Sequence, residues 1–260
     1  MPELPDVEVF CQDLKSASLR KPIKSVASLD KTILWKTSPQ KFRSALKGNQ
    51  IRACRRHGKY LFAQLKGDLS LGMHFGMTGR LKHFKGREKP PAHARILVEF
   101  EDGHCLAYTS VRKLGRAFLV KDIEAFIRNR PLGPDALDVN FATFYSIFRN
   151  RRAAVKTTLM DQALLAGLGN VYTDEILFQS GIRPTRSCDR LSSKEWQRVF
   201  RAMRKVLPAA ISKRAQRDRF PNSYLARHRK AQARCPRCGA VLKSSTVGGR
   251  TTYFCPRDQK

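Results

Sequence analysis

Apolar positions change their spacing twice along this chain. Val7, Phe10, Cys11 and Leu14 recur at three- and four-residue steps, which puts them on one face of a helix. Pro5 is tolerated in the first turn of such a helix, and Glu3, Asp6 and Glu8 suit its positive end. Over residues 23–120 the pattern shortens. "KYLFAQL" and "ARILVEF" are brief β-rich runs, and eight glycines from Gly48 to Gly103 punctuate the region. Many short strands joined by turns predict a β-sandwich or barrel. Arg55, Arg56, His57 and Lys59 read as a charged loop within it, and "FGMTG" as a second loop that exposes Met77.

The stretch "NRPLGPDAL" (129–137) carries two prolines and a glycine and predicts a hinge or linker. Beyond it the spacing turns helical in "FATFYSIFRN", "VKTTLMDQALLAG", "VYTDEILFQSG" and "SSKEWQRVFRAMRKVLPAAISKR". The last of these opens on Ser192 or Ser193 as an N-cap, with Glu195 in its first turn. Residues 218–234 form a basic connection to the C-terminal cysteines. The expected organisation is a multi-domain α+β chain. It has an N-terminal β-sandwich with a leading helix (1–128), a linker (129–140), a helical domain (141–228) and a ribbon-like β-hairpin (229–260).

Charge narrows the class of partner. The 260 residues hold 51 Lys and Arg against 21 Asp and Glu, a net of +30. Such a surplus on a chain that is 42% hydrophobic, enough for a core, favours a polyanion and most simply nucleic acid. Arg183–Lys260 alone holds 21 basic and 4 acidic residues, so this third is expected to grip phosphates with a steep salt dependence. No apolar run reaches the ~20 residues of a membrane span. The acidic N-terminus lacks the order of a secretory signal, so a cytoplasmic chain, nucleoid-associated if bacterial, is expected, acting as a monomer. Cys11, Cys54, Cys105 and Cys188 are scattered and read as small buried hydrophobes of a reducing compartment.

Two stretches carry candidate chemistry. Cys235-x2-Cys238-x16-Cys255-x2-Asp258 has the spacing of a metal ribbon with an aspartate at the fourth position. Zinc accepts a carboxylate oxygen at about 2.0–2.2 Å, and an Asp side chain is about as long as a Cys side chain. The site therefore reads as Cys3Asp zinc, with a metal-free hairpin as the alternative. At the other end, Met before a small residue such as Pro2 is normally removed. That leaves a secondary amine, of a type that titrates near ~8, next to Glu3. Such an amine can attack an electrophilic carbon and form an iminium, with Glu3 as general acid or base.

"MPELPDVE" resembles the opening of the formamidopyrimidine-DNA glycosylase/endonuclease VIII (Fpg/Nei) family. So, in family order, do "RRHGKYL" (55–61), "HFGMTGRL" (74–81), "YTSVRKLG" (108–115), "LMDQALLAGLGNVYTDEILFQSGIRP" (159–184) and "VGGRTTYFC" (247–255). The resemblance implies a helix–two-turns–helix domain and a zinc ribbon. It also implies a bifunctional DNA glycosylase/AP lyase acting on double-stranded DNA with damaged bases or abasic sites. Pro2 would be the Schiff-base nucleophile at C1′, Glu3 would protonate or activate the sugar, and Lys59 would assist β-elimination. Arg250 would reach a flanking phosphate from the hairpin tip and favour δ-elimination. Met77, Arg112 and Leu114 would fill the gap left by a flipped nucleotide, and such wedges offset part of an unstacking cost of a few kcal/mol. Asn170, His93, Arg151 and Lys156 would contact the backbone, with the glycines of "GLGN" letting the main chain approach phosphate. Zinc would be the one cofactor, held by Cys235, Cys238, Cys255 and Asp258.

The chain departs from the family pattern at Asp6 (for Glu), Ser110-Val111 (for Asp-Pro), Leu114 (for Phe) and Asp258 (for Cys). It also lacks the Gly-Thr-rich loop that closes over 8-oxoguanine. Leucine fills space but stacks poorly, so weaker discrimination of the opposite base is expected. Formamidopyrimidines, oxidised pyrimidines, hydantoins and abasic sites are all open as substrates. A damage-binding protein without catalysis is the rival reading, and a zinc-ribbon transcription or RNA-binding factor would leave the N-terminal motif unexplained.

Overall fold

The computed structural model of the chain describes residues 1–230 and 232–260, so Ala231 of the basic connection lies outside the described residues. Two compact units emerge. One comprises residues 1–2 and 6–130, the other residues 3–5 and 131–260. The ribbon residues fall in the second unit with the helices.

Helix α1 (Leu4–Ser18), which belongs to the first unit from Asp6 onward, precedes two four-stranded antiparallel sheets. One sheet has the order β1-β6-β7-β5, from Ile23–Leu29, Ala94–Phe100, His104–Thr109 and Arg80–Lys85. The other has the order β2-β3-β4-β8, from Ile51–His57, Tyr60–Leu65, Ser70–His74 and Arg116–Val120. Val7, Phe10, Cys11 and Leu14 of α1 join Val98 and Leu106 of one sheet and Leu61 and Met73 of the other in a single core. The sandwich and its leading helix follow the alternation in the sequence. Two local features do not. Pro39–Leu46 forms α2 among the strands, because Ser38 caps it by accepting from the Lys41 amide and Pro39 presets its first turn. Arg55–His57 form the end of β2 instead of a loop. Gly58 and Lys59 alone make the turn to β3, with Gly58 at the left-handed φ of 55° that a tight hairpin requires.

The second unit continues, after α3 (Ile123–Asn129) closes the first, with α4 (Phe141–Phe148), α5 (Val155–Leu159), α6 (Asn170–Ser180) and α7 (Ser193–Ser212). The helix expected across "VKTTLMDQALLAG" stops after five residues. Gln162 then organises the turns: its amide donates to the Met160 and Leu168 carbonyls at 2.7 and 2.8 Å and accepts from the Gly167 amide at 3.0 Å. Ser192 is the N-cap of α7, in a reciprocal capping box with Glu195. β9 (Lys243–Val247) and β10 (Arg250–Phe254) make the hairpin, turning on Gly248 and Gly249 at φ 56° and 70°. Among the described residues, no helix is long and apolar enough to cross a membrane. Cys11, Cys54, Cys105 and Cys188 are free and buried, as their spacing suggested.

Helix α6 is buried on almost every side, and its charged residues are therefore all engaged. Glu175 accepts from the Ala226 amide at 2.7 Å and from the Gln179 amide at 2.6 Å. Burial dominates these two bonds and pushes its carboxyl up to about 7. A folded-state pKa above the unfolded one means that the native protein binds the extra proton. This contribution to stability is present at low pH and is lost as pH rises from the unfolded carboxyl range through about 7. Glu175→Gln should therefore flatten stability between pH 5 and 8, by about 2–3 kcal/mol relative to the parent. Denaturant midpoints of the two proteins across that range measure it, and parallel profiles would refute it.

Candidate active site

Glu3 is 2% exposed and caps α6 from outside the helix. Its Oε1 accepts from the Val171 amide at 2.8 Å and its Oε2 from the Tyr172 amide at 3.2 Å. The helix has no side-chain cap of its own: Gly169 stands at the N-cap, and a Cβ there would lie 2.4 Å from the Glu3 carboxyl carbon. Gly167, at φ 120°, likewise makes room for Leu4, whose amide donates to the Gly167 carbonyl at 3.1 Å. The glycines of "GLGN" thus admit the chain's own residues 3 and 4, where the sequence suggested a close approach to phosphate. A carboxylate on orphan amides at the positive end of a helix is a favourable arrangement, and it fixes the residue to which Pro2 is bonded. Pro2 itself is half-buried.

The same helix holds the hairpin. Asp174 is fully buried, 2.6 Å from the Lys156 ammonium and 2.7 Å from the Arg229 guanidinium. Lys156 Nζ donates to Thr252 Oγ1 at 2.7 Å, and the Tyr253 amide donates to Asp174 Oδ2 at 3.2 Å. Asn170 donates to the Thr251 carbonyl at 3.1 Å, while its own Oδ1 is buried without a partner. β10 is pinned at three successive residues, and exposed Arg250 follows from that anchorage. Gly248 at the tip is as tight, since a Cβ there would lie 2.3 Å from Thr157 Cγ2. Lys156 is not placed as a phosphate contact. It has no exposed surface, burial pulls its ammonium below the usual range against the pull of Asp174, and its charge is committed internally. Arg151 is exposed and tethered through Nε to the Ile147 carbonyl at 2.8 Å.

In the first unit the structure brings Met77, Arg112 and Leu114 together. Gly76, at φ 56°, packs so tightly that a Cβ would lie 2.5 Å from the Leu114 backbone. The Arg112 amide donates to Thr78 Oγ1 at 3.1 Å, and its guanidinium lies 3.2 Å from Met77 Sδ. Met77 and Leu114 are 40% and 46% exposed, and Val111 joins them at 57%. Asp30 holds this cluster from behind. It pairs with Lys113 at 2.9 Å, and bonds from Thr32 and then Lys113 keep its carboxyl down at about 2. His74 Nδ1 accepts from the Gly76 amide at 3.3 Å. Burial first and the nearby Lys59 second pull His74 down to about 4, so it stays a neutral acceptor. Lys59 is 8% exposed at its hairpin turn, and exposed His93, at φ 61°, accepts the Ser110 amide through its carbonyl.

Asp174, Arg229, Asp30 and His74 escaped the sequence reading. The pair Asp174-Glu175 within the apolar run "VYTDEILF" was the available signal, since a buried acid in so basic a chain needs internal cations.

At the ribbon, the three thiols and the Asp258 carboxylate lie within 4.8 Å of one another. Cys235 Sγ is 3.0 Å from Asp258 Oδ2, Cys238 Sγ is 3.5 Å from Cys255 Sγ, and backbone amides of Arg237 and Asp258 point at Cys235 and Cys255 sulfur. Bonds of about 2.0–2.3 Å from a central ion suit a cluster of this size, and the donor set is one that zinc takes. Burial, and then the neighbouring Asp258, pushes the Cys235 thiol up to about 12.

The model of the formamidopyrimidine-DNA glycosylase N-terminal domain matches residues 1–117, and that of the H2TH domain of the same enzymes matches residues 132–220. The zinc finger found in FPG and IleRS matches residues 234–260. The chain belongs to the formamidopyrimidine-DNA glycosylase family. The formamidopyrimidine-DNA glycosylases of Heliobacterium modesticaldum and Protochlamydia amoebophila are 35% and 32% identical to it, each over the whole of both chains. Among solved structures, that of the Lactococcus lactis family member non-covalently bound to DNA with an AP site aligns at TM-score 0.91 and 26% identity, covering all of both chains. The complex of the Lactococcus lactis protein with Fapy-dG-containing DNA aligns at 0.89 and 25%, covering 99% of this chain and all of that one. The ribbon of this family member takes a structural zinc ion, and Cys235, Cys238, Cys255 and Asp258 are the clustered residues that could hold it.

Two outcomes follow from these anchorages. Asp174→Asn leaves two cations without their counter-charge, one of them fully buried, and should destabilise the second unit by about 3–5 kcal/mol in denaturant unfolding. Lys156→Met should cost clearly less, and the reverse order would contradict the hub. Asp258→Cys should slow zinc release to a chromophoric chelator at least ten-fold with activity on DNA unchanged. Equal release would mean that the carboxylate is not a ligand.

Proposed function

We propose that this chain is a bifunctional DNA glycosylase and AP lyase of base excision repair, acting on formamidopyrimidine-type lesions and abasic sites in duplex DNA. The observation that carries the reading is the capping of α6 by Glu3, which anchors the N-terminus beside Asn170 at the first residue of that helix. A flexible chain end would leave a nucleophile unplaced, and positioning is a large part of its effect. Once Met1 is removed, the Pro2 nitrogen attacks C1′ of the damaged nucleotide as the base leaves. Opening of the C1′–O4′ bond, with the proton for O4′ passed through Glu3, converts the aminal to an iminium; this acidifies the neighbouring C2′ proton, and loss of that proton expels the 3′ phosphate. Glu3 serves the sugar as general acid, and Lys59 assists the elimination.

The remaining residues take supporting parts. Met77, Arg112, Leu114 and the exposed Val111 fill the gap left by the flipped nucleotide. Asn170, Arg151 and His93 hold the backbone, and Arg250 reaches a flanking phosphate for the second, δ, elimination. Pro2, Glu3 and Lys59 are all present, which favours catalysis over damage binding alone.

Incubation with abasic-site duplex and borohydride should trap a covalent protein–DNA adduct. Pro2→Gly should keep duplex affinity within a few-fold and lose most of the adduct. Lesion binding with neither adduct nor strand cleavage would leave only a damage-binding protein.

A further inference from the structure

The longest helix carries a pattern of charge that the proposed chemistry does not use. α7 buries Trp196, Val199, Met203, Val206 and Ala210 along one face. On the opposite face Lys194, Arg198, Arg201 and Lys205 follow at steps of four, three and four, all exposed. At 3.6 residues per turn these four fall within an arc of about 60° and span about 16 Å. Lys213, Arg217 and Arg219 continue the exposed charge beyond the helix. Residues 193–219 hold nine basic and two acidic residues. Neither acid neutralises the row. Glu195 is engaged by Arg186 at 2.6 Å and by its capping box, and lies 3.7 Å from Arg198, while Asp218 stands past the helix end. Among the described residues, the side chains of Lys194, Arg201 and Lys205 have no hydrogen-bond or ion-pair partner.

Like charges three and four residues apart repel, so this face works against its own helix, whereas a merely solvated face interleaves both signs. A basic amphipathic helix can lie on a membrane, but only with its apolar face free, and here that face is built into the core. What remains is a straight, rigid row of cations without an apolar pocket. Duplex DNA offers one negative charge per ~1.7 Å of axis, about ten over this length. An extended acidic peptide offers about five at most. The row also faces away from the core that α7 shares with α6, whose first residue is Asn170 and on which β10 is anchored.

We propose that the outer face of α7 binds the phosphate backbone of a second duplex segment while the lesion-bearing duplex is held on the Asn170 side. The proposal rests on the chain working on DNA and not on its chemistry. A protein gripping two segments passes from one to the other without a free intermediate.

The test uses the full-length, zinc-loaded protein saturated with a short duplex carrying a tetrahydrofuran abasic analogue. A fluorescent undamaged duplex of about 20 base pairs is then titrated at low salt and followed by anisotropy. The loaded protein should take up the second duplex. K194Q/R201Q/K205Q should weaken that step at least ten-fold and reduce its log–log salt slope by about 3. Binding of the first duplex and strand cleavage should stay within two-fold. Gln is a good helix former, and relief of repulsion should leave the melting temperature equal or higher, which shows that the variant is folded. The proposal is overturned if the loaded protein takes no second duplex or if the variant takes it equally well. It is also overturned if polyglutamate binds the loaded protein as tightly as duplex, which would make the partner an acidic protein. Failure of the first duplex to bind would count against the glycosylase reading, and the row would then be judged by the same variant's loss of undamaged duplex on the free protein.

Discussion

The buried carboxylate of Asp174 is the contact on which the second unit's working geometry depends. It meets a lysine from α5, an arginine from the basic connection and a backbone amide of β10. A buried ion pair costs desolvation and adds little net stability, but it has only one satisfied arrangement. Apolar packing alone would let a short hairpin slide by a residue at small cost. A carboxylate that must face two cations and the Tyr253 amide does not permit such a slip. α6 is thus a pillar with different attachments along its length. Glu3 sits at its start, Asp174 holds the hairpin, Glu175 holds the Ala226 segment, and the Arg237 guanidinium takes the Phe178 and Gln179 carbonyls at its end. Zinc then stiffens a ribbon that is already fastened at several points.

What the sequence disclosed follows from the kind of signal each feature leaves. The apolar face of α1, the short strands and an N-cap at Ser192 or Ser193 are local patterns, and the structure has all three, with the cap at Ser192. The cysteine ribbon is equally local. Partner choice is not. Periodicity says that a position is buried without saying against what, so the Lys156–Asp174–Arg229 cluster left no trace beyond two acids in an apolar run. The "GLGN" glycines show the same limit. Their need for a close approach was visible, but the approaching group was a side chain more than 160 residues away in sequence, as the Glu3 to Val171 bond shows.

The loop bearing Leu114 separates two properties that an aromatic wedge combines. Its placement is set by backbone and by Asp30: Gly76 against Leu114, Arg112 on Thr78, Lys113 on a carboxylate held ionised at about 2. Its stacking power is set by the side chain alone. Leu114 and Val111 present exposed aliphatic surface here, with no ring available for stacking. Beside them the Arg112 guanidinium is held against Met77 sulfur.

The surplus of +30 is therefore not a count of phosphate contacts. Lys156 and Arg229 share the single carboxylate of Asp174, Arg186 pairs with Glu195 and Arg56 with Glu8 at 2.7 Å, while Arg237 is tied to carbonyls at the end of α6. These charges fasten the chain to itself. Among the described residues, exposed cations without an ion pair include Arg250 on the hairpin, Arg151, and Lys194, Arg201 and Lys205 on the outer face of α7. Salt acts differently on the two groups. Screening leaves buried pairs largely intact and weakens exposed cations over about a Debye length, so rising ionic strength should loosen the grip on DNA well before it disturbs the fold.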